Sequence, residues 1–164
     1  MPDQDALLPF NSALETGIRC VGILVAAYPQ TLDLQRLVAF DYIVVHTGDV
    51  DGPDSLHPSL PMRSAELLVR RQFVERGLLL MISRGLVERH ATDEGITYRA
   101  GEFADTFLTS LTAPYLKKLR ERAAWVVEMF GNLDEESLRE TMSGFFDRWI
   151  EEFHVVQQSL AGEI

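Results

Sequence analysis

Cysteine is almost missing from these 164 residues: Cys20 stands alone, so the chain can form no intrachain disulfide and no thiolate zinc ribbon. Positive charge is scarce too. Fifteen Lys and Arg face 25 Asp and Glu, a formal net charge of −10. That balance excludes a nonspecific nucleic-acid polycation, and any contact with DNA has to be local. No apolar run approaches the length of a membrane span; Val21 to Ala27 falls far short of it. The opening MPDQDALLPF carries two acids and no basic stretch of the secretory kind. Neither a repeat period nor a Ser/Gly-rich linker is present. The expectation is one soluble, unprocessed, cytoplasmic unit without membrane contact.

With 46% apolar and 24% charged residues, the chain has the composition of an ordinary globular domain able to bury a core. Helix punctuation organises it. Ser12-Ala13-Leu14-Glu15 has the spacing of a capping box, and Leu14, Ile18, Val21 and Val25 then share one face until Pro29 forbids continuation. A first helix is expected to end near Ala27. Asp33 can cap a second, largely apolar helix carrying Leu34, Leu37, Val38 and Ile43. Residues 47–62 hold two glycines and three prolines and are expected to form a long irregular loop.

A third helix is predicted from Arg63 to Arg84, stopped by Gly85. Its Gly77–Ile82 stretch is apolar on every side and is expected to be buried. Two alternating runs, Leu86–His90 and Ile96–Arg99, flank a polar Asp-Glu-Gly turn and predict a hairpin. Helix, helix, helix, hairpin is the order of a winged helix. The predicted fold is therefore mainly α: a winged-helix-like domain over 9–101, three helices plus a β-hairpin wing, followed by a C-terminal helical extension over 102–162 in the same compact unit. The extension should hold a short helix at Glu102–Leu111, one from Pro114 to Phe130 and one from about Asp134. That last helix carries Leu138, Met142, Phe145, Trp149, Phe153, Val156 and Leu160 on one stripe, widened by Phe146 and Ile150. Such a stripe fits core packing. It also fits a partner interface at Phe145, Phe146, Trp149 and Phe153, since interfaces favour aromatic anchors.

Residues 63–89 hold six arginines against three glutamates, the one basic island in an acidic chain. Arg63, Arg70, Gly77 and Arg84 recur every seven residues and are expected to line one helix stripe. With Arg71 and Arg89 they are candidates for contact with phosphates or an acidic partner surface. Pairing of Glu66 with Arg70 and of Arg71 with Glu75 along the helix would reduce that charge. The sixteen residues between the second and third helices exceed the turn of a base-reading helix-turn-helix, so contact is expected with the phosphate backbone at most.

The cluster His46, Asp49, Asp51, Asp54 and His57 offers divalent-ion ligands by type. Its spacing matches neither H-E-x-x-H nor an EF-hand, and aspartate beside glycine and proline is ordinary turn chemistry. Cys20 lies among apolar residues, where a thiol is packed and not ionised. The G-x-S-x-G elbow, the P-loop and G-x-G-x-x-G are all missing. No catalytic residue, metal or cofactor is expected, and the chain is not expected to be an enzyme.

Pro9-Phe10-Asn11-Ser12, Leu32 to Leu37, Asp41-Tyr42, His46-Thr47-Gly48-Asp49, Ser55-Leu56-His57-Pro58, Glu66 to Arg71 and Arg84-Gly85-Leu86-Val87 resemble the middle component of bacterial ABC-three-component systems, over roughly residues 9–130. These systems overlap with the Lamassu antiphage group. The resemblance implies a small accessory subunit, partnered by an SMC-like ATPase and an effector from the same operon, which helps couple sensing of foreign DNA to effector release, with nonspecific DNA contact inside the complex. The loop rich in Gly and Asp between His46 and Pro58 would then hold either partners or the domain core. A stand-alone winged-helix DNA-binding regulator, dimerising through its C-terminal helices, is the alternative.

Overall fold

Short-range capping chemistry decides where the helices of this computed structural model begin, over the described residues 12–57 and 63–144. The Ser12 side chain accepts a hydrogen bond from the Glu15 amide at the start of α1 (Ala13–Ala27). A two-residue strand, β1 (Leu32–Asp33), runs directly into α2 (Leu34–Val45), where Asp33 accepts from the Arg36 amide at 2.8 Å. α3 (Arg63–Ser83) ends in a Schellman turn. Gly85 there takes a φ of 72°, and the amides of Gly85 and Leu86 donate to the carbonyls of Ile82 and Met81. Only a residue without a Cβ adopts that angle at little cost.

Strands β2 (Val87–Thr92) and β3 (Gly95–Ala100) form the expected hairpin, with Val87 opposite Ala100 and Thr92 opposite Gly95. β1 adds to the free side of β3, Leu32 opposite Tyr98, giving a three-stranded antiparallel sheet in the order β1-β3-β2. α4 (Ala104–Ser110) and α5 (Pro114–Phe130) follow. Residues 135–144 form a further helix, α6, capped by Asp134, which accepts from the Ser137 amide. The described chain is thus mainly helical with one small sheet.

α1 is apolar nearly all round because it is surrounded. It packs on α3, α5 and α2, and Cys20, Val21, Ile23 and Leu24 are wholly buried. The same core takes Phe40, Ile43 and Val44 from α2, Val74, Leu78 and Met81 from α3, Leu119, Ala123 and Val126 from α5, and Leu138 and Met142 from α6. α1 and α3 approach most closely at Gly17 and Gly77. A Cβ on Gly77 would lie 2.7 Å from the Gly17 amide nitrogen and 3.0 Å from the Ala13 carbonyl oxygen.

Three expectations are corrected. The middle of the seven-residue stripe of α3 faces inward, since Gly77 meets α1 and Arg70 is only 5% exposed. The Gly77–Ile82 stretch is not uniformly buried: Leu79 points away from the core and is 66% exposed. A continuous apolar run carries no phase, and the position of α1 decides which side is covered. The loop after α2 also contains regular structure, a 3₁₀ turn at Thr47–Val50.

Candidate functional site

Helix α1 carries one basic side chain within its apolar length, Arg19, and α2 carries one acid within its own, Asp41. They meet in the interior. Arg19 Nε donates to Asp41 Oδ1 at 2.8 Å and its Nη2 to Thr16 Oγ1 at 3.2 Å. From α3, Arg70 Nη1 donates to the other carboxylate oxygen, Oδ2, at 2.6 Å. Side-chain exposure is 2%, 0% and 4% for Arg19, Asp41 and Arg70. Isolated burial of such charges costs several kcal/mol apiece, and the ion pairs and hydrogen bonds within the cluster offset this. Burial alone would raise the Asp41 carboxyl; Arg19 and Arg70 outweigh it and hold the group below its ordinary range. Burial likewise pushes the neighbouring Cys20 thiol well up, with Asp41 adding to the effect, so the sulfur is a packed side chain and not a nucleophile.

Aromatic and imidazole rings extend this hub outward. The Arg70 guanidinium lies over the Tyr42 ring, 5.4 Å from its centre. The Tyr42 ring lies tilted against that of His46, 4.5 Å between centres, and its hydroxyl donates to Asp49 Oδ2 at 2.9 Å. His46 meets His57 edge to face, and His57 shares a 2.7 Å hydrogen bond with the hydroxyl of Tyr115 on α5. Burial, then the nearby Arg19, His46 and Arg70, lowers His57 to about 4, so its ring is neutral near pH 7. Burial raises the Tyr115 hydroxyl above its usual value.

The loop after α2 closes over the hub. Thr47 Oγ1 donates to the Pro53 carbonyl at 2.7 Å, the Gly48 amide donates to Ser55 Oγ at 2.9 Å, and the His57 amide donates to the Val45 carbonyl. Gly52 lies flush against the indole of Trp125 on α5, where a Cβ would collide with the ring. Arg122 Nε donates to the Asp54 carbonyl at 3.3 Å. The loop is therefore tied to α5 at His57, Gly52 and Asp54, and it holds the domain core. Among the described residues no group of three His, Cys, Asp or Glu side chains is placed to hold a metal ion.

The other sequence candidates separate in space. Arg70 belongs to the hub and is withdrawn from the basic stripe, because Asp41 supplies a buried counter-charge on the neighbouring helix. Arg71 is exposed and pairs with Glu75 at 3.4 Å, as its spacing suggests. Arg84 and Arg89 are exposed, at the end of α3 and on β2. Arg63 opens α3 with its side chain outside the described residues, and Phe145, Phe146, Trp149 and Phe153 also lie outside them. Arg19, Asp41 and Tyr115 were not singled out as a site. One signal could have found the first two: beyond its first turn, each of two consecutive apolar helices carries a single charge, and the two are of opposite sign.

Elsewhere, a cleft of about 480 Å³ between the end of α1, the sheet and α4 is lined by Val25, Tyr28, Glu88, Arg99, Glu102 and Asp105. Arg99 is held there by Glu88 at 2.8 Å. Among the described residues, no helix is long and apolar enough to cross a membrane.

Asp41-Tyr42, His46–Asp49, Ser55–His57 and Arg70 all contribute residues to the hub and its cap, beside Thr16 and Arg19 of α1 and Tyr115 of α5. No curated protein and no solved structure matches the chain. The family described as ABC-three component (ABC-3C) system Middle Component 2 matches residues 9–152, most of the chain. A match of that extent, over the very segment in which the hub is built, makes this chain a member of the Middle Component 2 family of ABC-three-component systems.

Proposed function

We propose that this middle component is a non-enzymatic accessory subunit that docks on an SMC-like ATPase of its own system and helps couple sensing of foreign DNA to release of an effector, in an antiphage complex of the Lamassu kind. Membership of a three-component family implies partner subunits. The observation that carries the non-enzymatic part is the fate of the motif residues. Asp41, Tyr42, His46, Thr47 and Arg70 are 0–5% exposed and are bonded to or packed on one another and the capping loop, so their chemistry goes into holding five segments together. Surfaces, and not reactive side chains, are then left to do the work. Co-purification of the chain with the ATPase subunit of its system tests this. A stable complex is expected, and the isolated chain should turn over neither ATP nor DNA. Failure to associate, or turnover by the pure chain, overturns the proposal.

The element order α1-β1-α2-α3-β2-β3, with the strands arranged β1-β3-β2, supports the winged-helix reading and with it the alternative of a DNA-binding regulator. Of the arginine candidates whose side chains are described, Arg71, Arg84 and Arg89 are exposed and Arg70 is not. If they meet phosphates, their joint replacement by alanine flattens the salt dependence of duplex binding by about one unit of log-log slope per lost contact. An unchanged slope assigns them to protein or solvent.

A further inference from the structure

Among the described residues, nothing covers the outer face of helix α3. Val69, Gln72, Arg76, Leu79 and Ser83 are all exposed and recur at steps of three, four, three and four, the spacing of a coiled-coil seam. They form one strip about 20 Å long, at 1.5 Å per residue. Val69 and Leu79 are 54% and 66% exposed. Leu79 lies about 100 degrees round the helix from Leu78 and about 160 degrees from Met81, which fill the core, and so it faces away from the packing of the described residues. Arg76 lies on the strip, with Arg71 and Arg84 to either side of it against Glu75, whose carboxylate is taken by Arg71. A locally basic, partly apolar helix face on a chain of net charge −10 is complementary to an acidic surface and opposed to the bulk of its own.

We propose that this face of α3 is a docking seam for an acidic amphipathic helix of a partner subunit, with Val69 and Leu79 as apolar contacts and Arg76 facing a partner carboxylate. The seam deepens the subunit role proposed above and rests on it. Helical spacing of the strip selects a helix as occupant, because side chains at these steps interdigitate with those of a facing helix. Exposed large apolar side chains between the arginines select protein over a phosphate backbone, which offers leucine nothing to bury against.

The test is titration of the purified full chain onto the purified ATPase subunit of its own system, by calorimetry, with thermal melts of every variant as a check on folding. L79D and R76E should each weaken the complex by about tenfold or more, L79M should bind within about twofold of the parent, and M129D, on the exposed side of α5, should bind like the parent. Undiminished binding of L79D and R76E overturns the seam while the subunit role stands. Failure of the parent chain to bind removes both. Equal losses in M129D and L79D overturn the seam, as does a parent chain that dimerises alone and is made monomeric by L79D. In a parallel titration with a short DNA duplex, binding that R76E abolishes and L79D leaves intact assigns the face to nucleic acid, again against the seam.

Discussion

Arg70 and Arg71 are neighbours in sequence and opposites in structure. Arg70 is sealed inside, its guanidinium shared between the Asp41 carboxylate and the Tyr42 ring, whereas Arg71 stands in solvent beside Glu75. One residue along a helix is a rotation of about 100 degrees, enough to pass from the covered face of α3 to the open one. The difference shows that an arginine here is defined by what the adjacent helix offers, and that a basic island counted along the chain overstates the charge at the surface.

The largest break in that comparison is at Asp41. D41N keeps the shape of the side chain but leaves two buried guanidiniums without their counter-charge, and should cost about 3–5 kcal/mol in chemical denaturation. R71A removes only a solvent-exposed pair and should cost under about 1 kcal/mol. Equal losses would erase the distinction between the two faces. G77V attacks the inward face by volume instead of charge. Its side chain meets the backbone of Gly17 and Ala13, which cannot turn aside, and about 1–3 kcal/mol should be lost.

Acid sharpens the comparison further. His57 titrates near 6.5 when unfolded and at about 4 in the fold. Above pH 6.5 the ring is neutral in both states; as the pH falls from 6.5 toward 4 only the unfolded chain takes up the proton, so up to roughly 3 kcal/mol of stability should disappear across that window. Asp41, whose folded carboxyl is held low, adds its own loss at still lower pH. H57Q should flatten the decline between pH 6.5 and 4, while R71A should leave it unchanged. The smallest effect belongs to the open face: L79D should shift stability by no more than about 0.5 kcal/mol, however strongly it affects assembly.

Local chemistry made much of the fold legible. Ser12, Asp33 and Gly85 act within a few residues of themselves, so the ends they mark follow from the sequence. Strand β1 was missed because two residues beside a helix cap carry no alternation to detect; only β3, more than sixty residues later, makes them a strand. The phase of α3 was misjudged for a related reason. Arg63, Arg70 and Arg84 form a stripe by spacing alone, but the side of the helix that turns inward is chosen by Gly17 and Asp41 on other helices. The loop from His46 to His57 was recognisable as a motif, while its role required Tyr115, Arg122 and Trp125, residues whose spacing within α5 says nothing of a distant loop. Identification of the family needed only the motifs; what they do for the fold needed the packing.

The close approach of Gly17 and Gly77 has a mechanical consequence. With backbone against backbone and no side chain between, α1 and α3 have no cushion in which to slide past each other. A shift of α3 along α1 would drive backbone into backbone at this point, and α1 is held on another side by α5, to which the capping loop is tied.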